Sequence, residues 1–250
     1  MDTHRHTGKV AIVTGAGSGI GRATALRMAQ EGARVLACDV NAEGLDSLTR
    51  EAGSVRTVVA DLTNQDAVDA VVRAAEAIGP VDILANVAGI MDGFLPAHEV
   101  DDATWERVLA VNLHAPMMLS RAVLGGMKER GGGVIVNVSS VAGSRGGASG
   151  VAYATSKHGL LGLTRSIAVT YRNAGIRCNA VCPGGVATGI GSTAMPLSPW
   201  AFEQYQPALA LAGRVAEPDE IAALISWVAS DEASNVSGAV IAADNGWTAA

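Results

Sequence analysis

Aromatic residues are scarce in this 250-residue chain, at 4%, and charged residues make up only 17% against 49% hydrophobic. A core short of rings has to be filled with Ala, Val, Ile and Leu, which favours buried parallel strands covered by small-residue helices. The chain also lacks any run of Lys or Arg, and its formal net charge is −6. A nucleic-acid surface needs clustered cations to neutralise phosphates, so no nucleic-acid partner is expected. Cysteines number three; Cys178 and Cys182 stand four apart in a predicted strand, too far for a disulfide at about 3.3 Å per residue. With Cys38 they read as reduced core thiols, and no metal site is expected. The N-terminal MDTHRHTGKV has no apolar segment of the secretory kind. The longest uncharged stretch, 178–202, is broken by Pro and Gly and cannot span a bilayer. The expectation is a soluble, cytoplasmic protein with no membrane partner.

What is present is an alternation. Strand-like runs KVAIVTG, ARVLACD, VRTVVAD, VDILANVAG, GVIVNVSS, IRCNAVCPG and AVIAADNG are separated by helical patterns over 19–31, 42–52, 64–78, 101–129, 151–173 and 217–229. Nothing resembles an interdomain linker. The pattern predicts one α/β domain over 1–250, a doubly wound parallel seven-stranded sheet of the Rossmann type. Ligands of such sheets bind at the carboxyl ends of the strands.

The first predicted strand runs directly into Gly15, Gly17, Ser18, Gly19, Ile20 and Gly21. Glycines there allow a tight turn whose amides, with a helix N-terminus, can hold a pyrophosphate. Asp39 follows Gly21 by 18 residues, at the end of the second strand, where a carboxylate can accept both ribose hydroxyls of an adenosine. Because that carboxylate would repel a 2′-phosphate and Ser18 brings no compensating charge, NAD is predicted over NADP. Arg22 and Arg34 are the cations that argue the other way. Asp61 and Leu62, after the third strand, can bracket the adenine.

Tyr153 and Lys157 stand four apart in a predicted helix, so both side chains leave the same face. Together with TGAGSGIG at 14–21, NVAG at 86–89, Asn112, the pair Ser139-Ser140 and Pro183-Gly184, they make the whole chain resemble the short-chain dehydrogenase/reductase family. One departure is Val87, where the family usually has a second asparagine.

The resemblance implies that Tyr153 is the acid/base and that Lys157 lowers its pKa while holding the nicotinamide ribose. It implies that Ser140, 13 residues before the tyrosine, bonds the substrate oxygen, with Ser139 a strand-end packing residue. Asn112 is implied to interrupt a helix and place a water behind the lysine. Asn86, Ala88 and Gly89 fall on the adenosine side of the cofactor, and Pro183, Gly184, Val186 and Thr188 on the nicotinamide side. Ser156 and His158, which flank Lys157, receive no role.

The segment 189–212 is longer than a crossover needs and reads as a loop over the substrate, with Met195, Leu197, Trp200 and Phe202 as its apolar underside. The function expected is an NAD(H)-dependent oxidoreductase of a fairly apolar secondary alcohol or ketone. A 3-oxoacyl-thioester reductase is the alternative, with Lys128, Arg130 and Arg145 as cations for an acidic carrier. A non-catalytic NAD-binding protein is the remaining one. Apolar residues on the 101–129 helix (Ala115, Met117, Met118, Leu119, Ala122, Val123) and the 151–173 helix (Leu160, Leu161, Leu163, Ile167, Ala168), with the carboxyl-terminal segment, predict interfaces of a homotetramer.

Overall fold

A computed structural model describes residues 4–190 and 195–249. Its seven strands are β1 (Val10–Thr14), β2 (Arg34–Asp39), β3 (Arg56–Val59), β4 (Ile83–Asn86), β5 (Gly133–Val138), β6 (Ile176–Pro183) and β7 (Val240–Ala243). All pair in parallel, in the order β3-β2-β1-β4-β5-β6-β7. The chain winds outward from β1 to β3, then crosses back to β4. That reversal opens a crevice above the carboxyl ends of β1 and β4, where ligands of such sheets bind.

Side chains alternate across each central strand, so each layer of helices receives every second residue. Ile12, Leu36, Leu84 and Ile135 pack under α3 (Gln65–Glu76), α5 (Ala115–Arg130) and α6 (Val151–Tyr171). Val13, Val35, Ile83 and Val136 pack under α1 (Gly19–Gln30), α2 (Ala42–Glu51) and a helix at Pro218–Ala229, here α8. β1 is buried along its whole length, which is why it reads as an unbroken apolar run.

Three expectations change. The predicted 101–129 helix is α4 (Asp102–Leu109), a π-helical turn at Ala110–His114 and α5. Asp102–Arg130 is long and apolar enough to cross a membrane by composition, but its residues Val108, Ala115, Leu119, Val123 and Met127 are buried in the core of the fold. The predicted loop 189–212 contains a further helix, α7 (Pro199–Leu209), started by Ser198, whose side chain accepts from the Ala201 N–H, with Pro199 at the first position. Residues 191–194 of that segment lie outside the described ones. Finally, Ala115, Leu119, Val123, Leu160, Leu161, Ile167 and Ala168 are buried within the protomer, so the helix residues assigned to an interface shrink to partly exposed Met117, Met118, Ala122 and Leu163, with Val169 exposed beside them.

Candidate active site

β1 ends at Thr14 and the chain turns at once through Gly15 and Gly19, both at positive φ (67° and 52°). A Cβ at Gly15 would lie 2.8 Å from Ala88 Cα, so the turn from β1 and the loop after β4 touch backbone to backbone. Thr14 secures that contact by accepting the N–H groups of Val87 (2.9 Å) and Ala88 (3.0 Å). The Val87 N–H is therefore held by the Thr14 hydroxyl, a bond that needs no asparagine side chain at 87. Asn86 is buried, and its side-chain amide donates across the sheet to Asn137 at 2.8 Å.

Asp39 leans over the glycine turn. Its carboxylate accepts the Gly17 N–H at 2.9 Å and the Asn41 N–H at 2.8 Å. Arg22 is committed to Glu51 Oε2 at 2.6 Å and the Gly44 carbonyl at 3.3 Å. Arg34 opens β2 at its amino end and donates to the Ile78 carbonyl, a strand's length from Asp39. Both cations that argued against NAD are thus engaged elsewhere.

A cleft of about 320 Å³ runs along this edge, lined by Ser18, Ile20, Asp39, Asp61, Leu62 and Gly89 among others. Asp61 also closes its own turn by accepting the N–H and hydroxyl of Thr63. A second cleft of about 560 Å³ shares Ser18, Gly89, Ile90 and Ile190 with the first and extends to Asp92, Arg107 and Leu197. Thr188 sits against the turn, 2.9 Å from where a Gly19 Cβ would be. Gly184 follows β6 and donates to Ala243, and Val186 bridges to Ala216. An extended groove with a side-chain-free turn at its middle and a carboxylate at one end fits a dinucleotide.

Tyr153 and Lys157 lie in the first turns of α6 and are 8% and 3% exposed. The Lys157 ammonium donates to the Val138 carbonyl at 2.9 Å and lies 5.5 Å from the centroid of the Tyr153 ring. The two serines diverge, as neighbours at a strand end must. Ser139 donates to the Lys157 carbonyl at 3.0 Å, whereas the Ser140 hydroxyl accepts the Ala142 N–H at 3.2 Å and lies near enough to the Tyr153 phenol to favour its ionisation. Asn112 lies in the π-helical turn and is fully buried. It accepts the Ile90 N–H at 2.9 Å and donates to the Ile90 carbonyl at 3.0 Å and to Ser156 Oγ at 3.1 Å. A Cβ at Gly89 would lie 3.3 Å from both Asn112 Oδ1 and Lys157 Nζ, so the glycine lets these two groups converge.

Burial dominates the electrostatics. It pushes the Tyr153 phenol up to about 12, opposed by the Ser140 hydrogen bond and reinforced by Asp92 and Cys182. It pushes Lys157 down to about 8, with Cys182 acting in the opposite direction. The resemblance implied a lowered phenol, and the protein's own groups do the reverse. The physical reason is that burial penalises the phenolate itself by more than the Ser140 interaction offsets.

Residues 9–196 match the family model described as short chain dehydrogenase. The chain belongs to that family. It is 40% identical to 3beta-hydroxysteroid dehydrogenase 2 of Eggerthella lenta, with all of both chains covered. It is 43% identical to cis-4-hydroxycyclohexanecarboxylate dehydrogenase of Sinomonas cyclohexanicum, over 96% of this chain and 97% of that one. A solved Beutenbergia cavernae protein, assigned as an NAD(P)-dependent gluconate 5-dehydrogenase and holding NADP at low occupancy, superposes with a TM-score of 0.86 at 38% identity over 99% of this chain and all of that one. This short-chain dehydrogenase is accordingly an oxidoreductase.

Several residues of the dehydrogenase site were invisible in its sequence. Ser156, given no role, is completely buried between Asn112 and the Tyr153 carbonyl, to which it donates at 2.7 Å. Asp92 accepts the Tyr153 N–H from a distant loop. That loop also carries α7: the Leu197 N–H donates to the Gly93 carbonyl at 2.9 Å, and the Phe94 ring meets Phe202 edge-on at 5.5 Å. Phe202 is thus half-buried against that loop. Met195 and Leu197 line the second cleft yet stay 69% and 66% exposed, and Trp200 turns outward against His98. Of the cations proposed for an acidic carrier, Arg130 donates to Val81 ahead of β4, at the opposite end of the sheet from the clefts.

Proposed function

We propose that this dehydrogenase interconverts a fairly apolar secondary alcohol and its ketone with NAD(H), using Tyr153 as acid/base. The observation that carries the reading is the convergence of half-buried Ser140 with buried Tyr153 and Lys157, next to Gly89 of the groove that begins at the glycine turn. Relatives named for a hydroxysteroid and a hydroxycyclohexanecarboxylate support a ring-borne secondary alcohol as the substrate class. Carbons of that kind suit a cleft bordered by Ile90, Met91, Met195 and Leu197.

In the reduction direction Ser140 bonds the carbonyl oxygen and the Tyr153 phenol donates a proton to the alkoxide as it develops. A phenol kept protonated by burial is the form this step consumes. The nicotinamide supplies the hydride and, when oxidised, a positive charge that favours the phenolate needed for the reverse step. Lys157 binds the ribose hydroxyls beside that ring, and Asn112 positions the water behind the ammonium. Gly15, Gly17, Ser18, Gly19, Ile20 and Gly21 hold the pyrophosphate; Asp39 takes the adenosine ribose, with Asp61 and Leu62 about the adenine. Asn86, Ala88 and Gly89 support the adenosine side, and Pro183, Gly184, Val186 and Thr188 the carboxamide end. The carboxylate of Asp39, with Arg22 held by Glu51, favours NAD. The enzyme works in the cytoplasm as a homotetramer.

The test is a panel of ketones and secondary alcohols, cyclic and open-chain, followed at the NADH absorbance band with each cofactor. NADH-dependent turnover of a cyclic member is expected. Binding of NADH with no turnover across the panel, or a preference for NADPH, overturns the reading.

A further inference from the structure

The helix that carries Tyr153 and Lys157 has no side-chain cap of its own. Its N-cap is Gly150, and a side chain there would collide with Asp92 and the Leu95 N–H. Asp92 takes over the task from the loop between β4 and α4. It is 2% exposed, and its Oδ2 accepts the Tyr153 N–H at 2.9 Å, the third position of the helix, where a capping oxygen belongs. A carboxylate also matches the positive end of the helix.

The other oxygen of the same carboxylate, Oδ1, accepts the Phe94 N–H at 3.2 Å. Gly93 and Phe94 both hold positive φ, 65° and 58°. Phe94 has a side chain in a conformation that costs energy, and Asp92 supplies the bond that keeps it there. On this turn α7 docks, through the Gly93 carbonyl and the rings of Phe202 (5.5 Å) and Tyr205 (6.1 Å) against Phe94.

We propose that Asp92 is a positioning residue for Tyr153, capping its helix from outside and tying it to the turn that holds the cleft-lining Leu197 and the helix α7 that follows it. The inference rests on the acid/base reading of Tyr153. Asp92 further biases the phenol toward its protonated form, since its charge adds to the rise that burial imposes. The other titratable groups facing this pair are Lys157 on α6, Cys182 on β6 and Tyr205 on α7, and Arg107 of α4 lines the same cleft as Asp92. Burial raises the Asp92 carboxyl itself, and the N–H groups of Tyr153, Phe94, Asp92 and Gly150 oppose that rise.

Asp92→Asn keeps the shape, retains one acceptor oxygen and removes the charge. We expect kcat on the high-pH plateau of alcohol oxidation to fall about tenfold with the cofactor KM unchanged, because the phenol is displaced rather than the nucleotide site. The acid limb of the same profile should move down by about one pH unit as the negative charge leaves. Parental kcat, or a reduced kcat with an unmoved acid limb, overturns the proposal. Tyr153→Phe measured alongside separates the two claims, since an active Tyr153→Phe enzyme defeats the acid/base reading and not the cap. If Asp92→Asn does not fold, hydrogen exchange on the unaltered protein decides: the Tyr153 amide should be protected like the helix interior, and rapid exchange there refutes the cap.

Discussion

The side-chain amide of Asn112 donates to Ser156 Oγ at 3.1 Å, and Ser156 donates in turn to the Tyr153 carbonyl at 2.7 Å. A residue three positions from the proposed acid/base thus fixes the asparagine of the neighbouring π-helical turn. Ser156→Ala would leave a buried Asn112 donor with one partner fewer, at a cost of about 1–3 kcal/mol. The melting temperature should fall by roughly 2–12 °C, and kcat should fall with it as Asn112 loosens. Calorimetry giving a midpoint within about 1 °C of the parent would contradict the link.

Asp39→Ala removes both the ribose acceptor and the repulsion of a 2′-phosphate, and it frees the Gly17 N–H that Asp39 now holds. The ratio of kcat/KM for NAD over NADP should drop by at least about tenfold, equivalent to about 1.4 kcal/mol. Measuring both cofactors on parent and variant checks this. An unchanged ratio would mean that Asp39 merely shapes the turn.

Much of this architecture could be read in advance, and the exceptions share a cause. Strands buried on both faces, such as β1, are continuous apolar runs, and the glycine turn and Asp39 sit at positions that local spacing specifies. What escaped depends on contacts between distant segments. Asp92 reads locally as a turn residue before Gly93, and nothing near it in the chain announces the helix it caps 61 residues later. Ser156 lies at a buried angle of α6 that its neighbours Thr155 and His158, both exposed, do not reveal. The helix α7 hides because Pro207 and outward-facing Trp200 spoil its amphipathic pattern. The direction of the Tyr153 shift is not legible in spacing, which says that an ammonium is near but not that both groups are desolvated.

That desolvation gives stability a pH signature. Lys157 is lowered from 10.5 to about 8, so between those values the unfolded chain binds a proton that the folded one does not. Stability from this group therefore rises as pH increases from about 8 to 10.5. Tyr153, raised from 10 to about 12, acts with the opposite sign, and its contribution is lost as pH climbs between those values. In urea titrations the parent should gain on a Lys157→Met variant as pH goes from 8 to 10. A gap that stays constant would contradict a buried, depressed lysine.

The assembly has a direct check as well. Four chains of 25.3 kDa make about 100 kDa, with the partly exposed Met117, Met118 and Leu163 and exposed Val169 available to one of the two interfaces. Light scattering at micromolar concentration should give that mass. A monomer of full specific activity would contradict the tetramer, and a dimer would remove one interface.

The central claim is that the Tyr153 hydroxyl carries the proton, and Tyr153→Phe tests it most directly, with NADH affinity read by fluorescence and turnover measured on the same preparation. The account predicts NADH binding within about twofold of the parent and kcat/KM lower by about a thousandfold, the range expected for a lost general acid. Turnover within about tenfold of the parent, at intact NADH affinity, would contradict it.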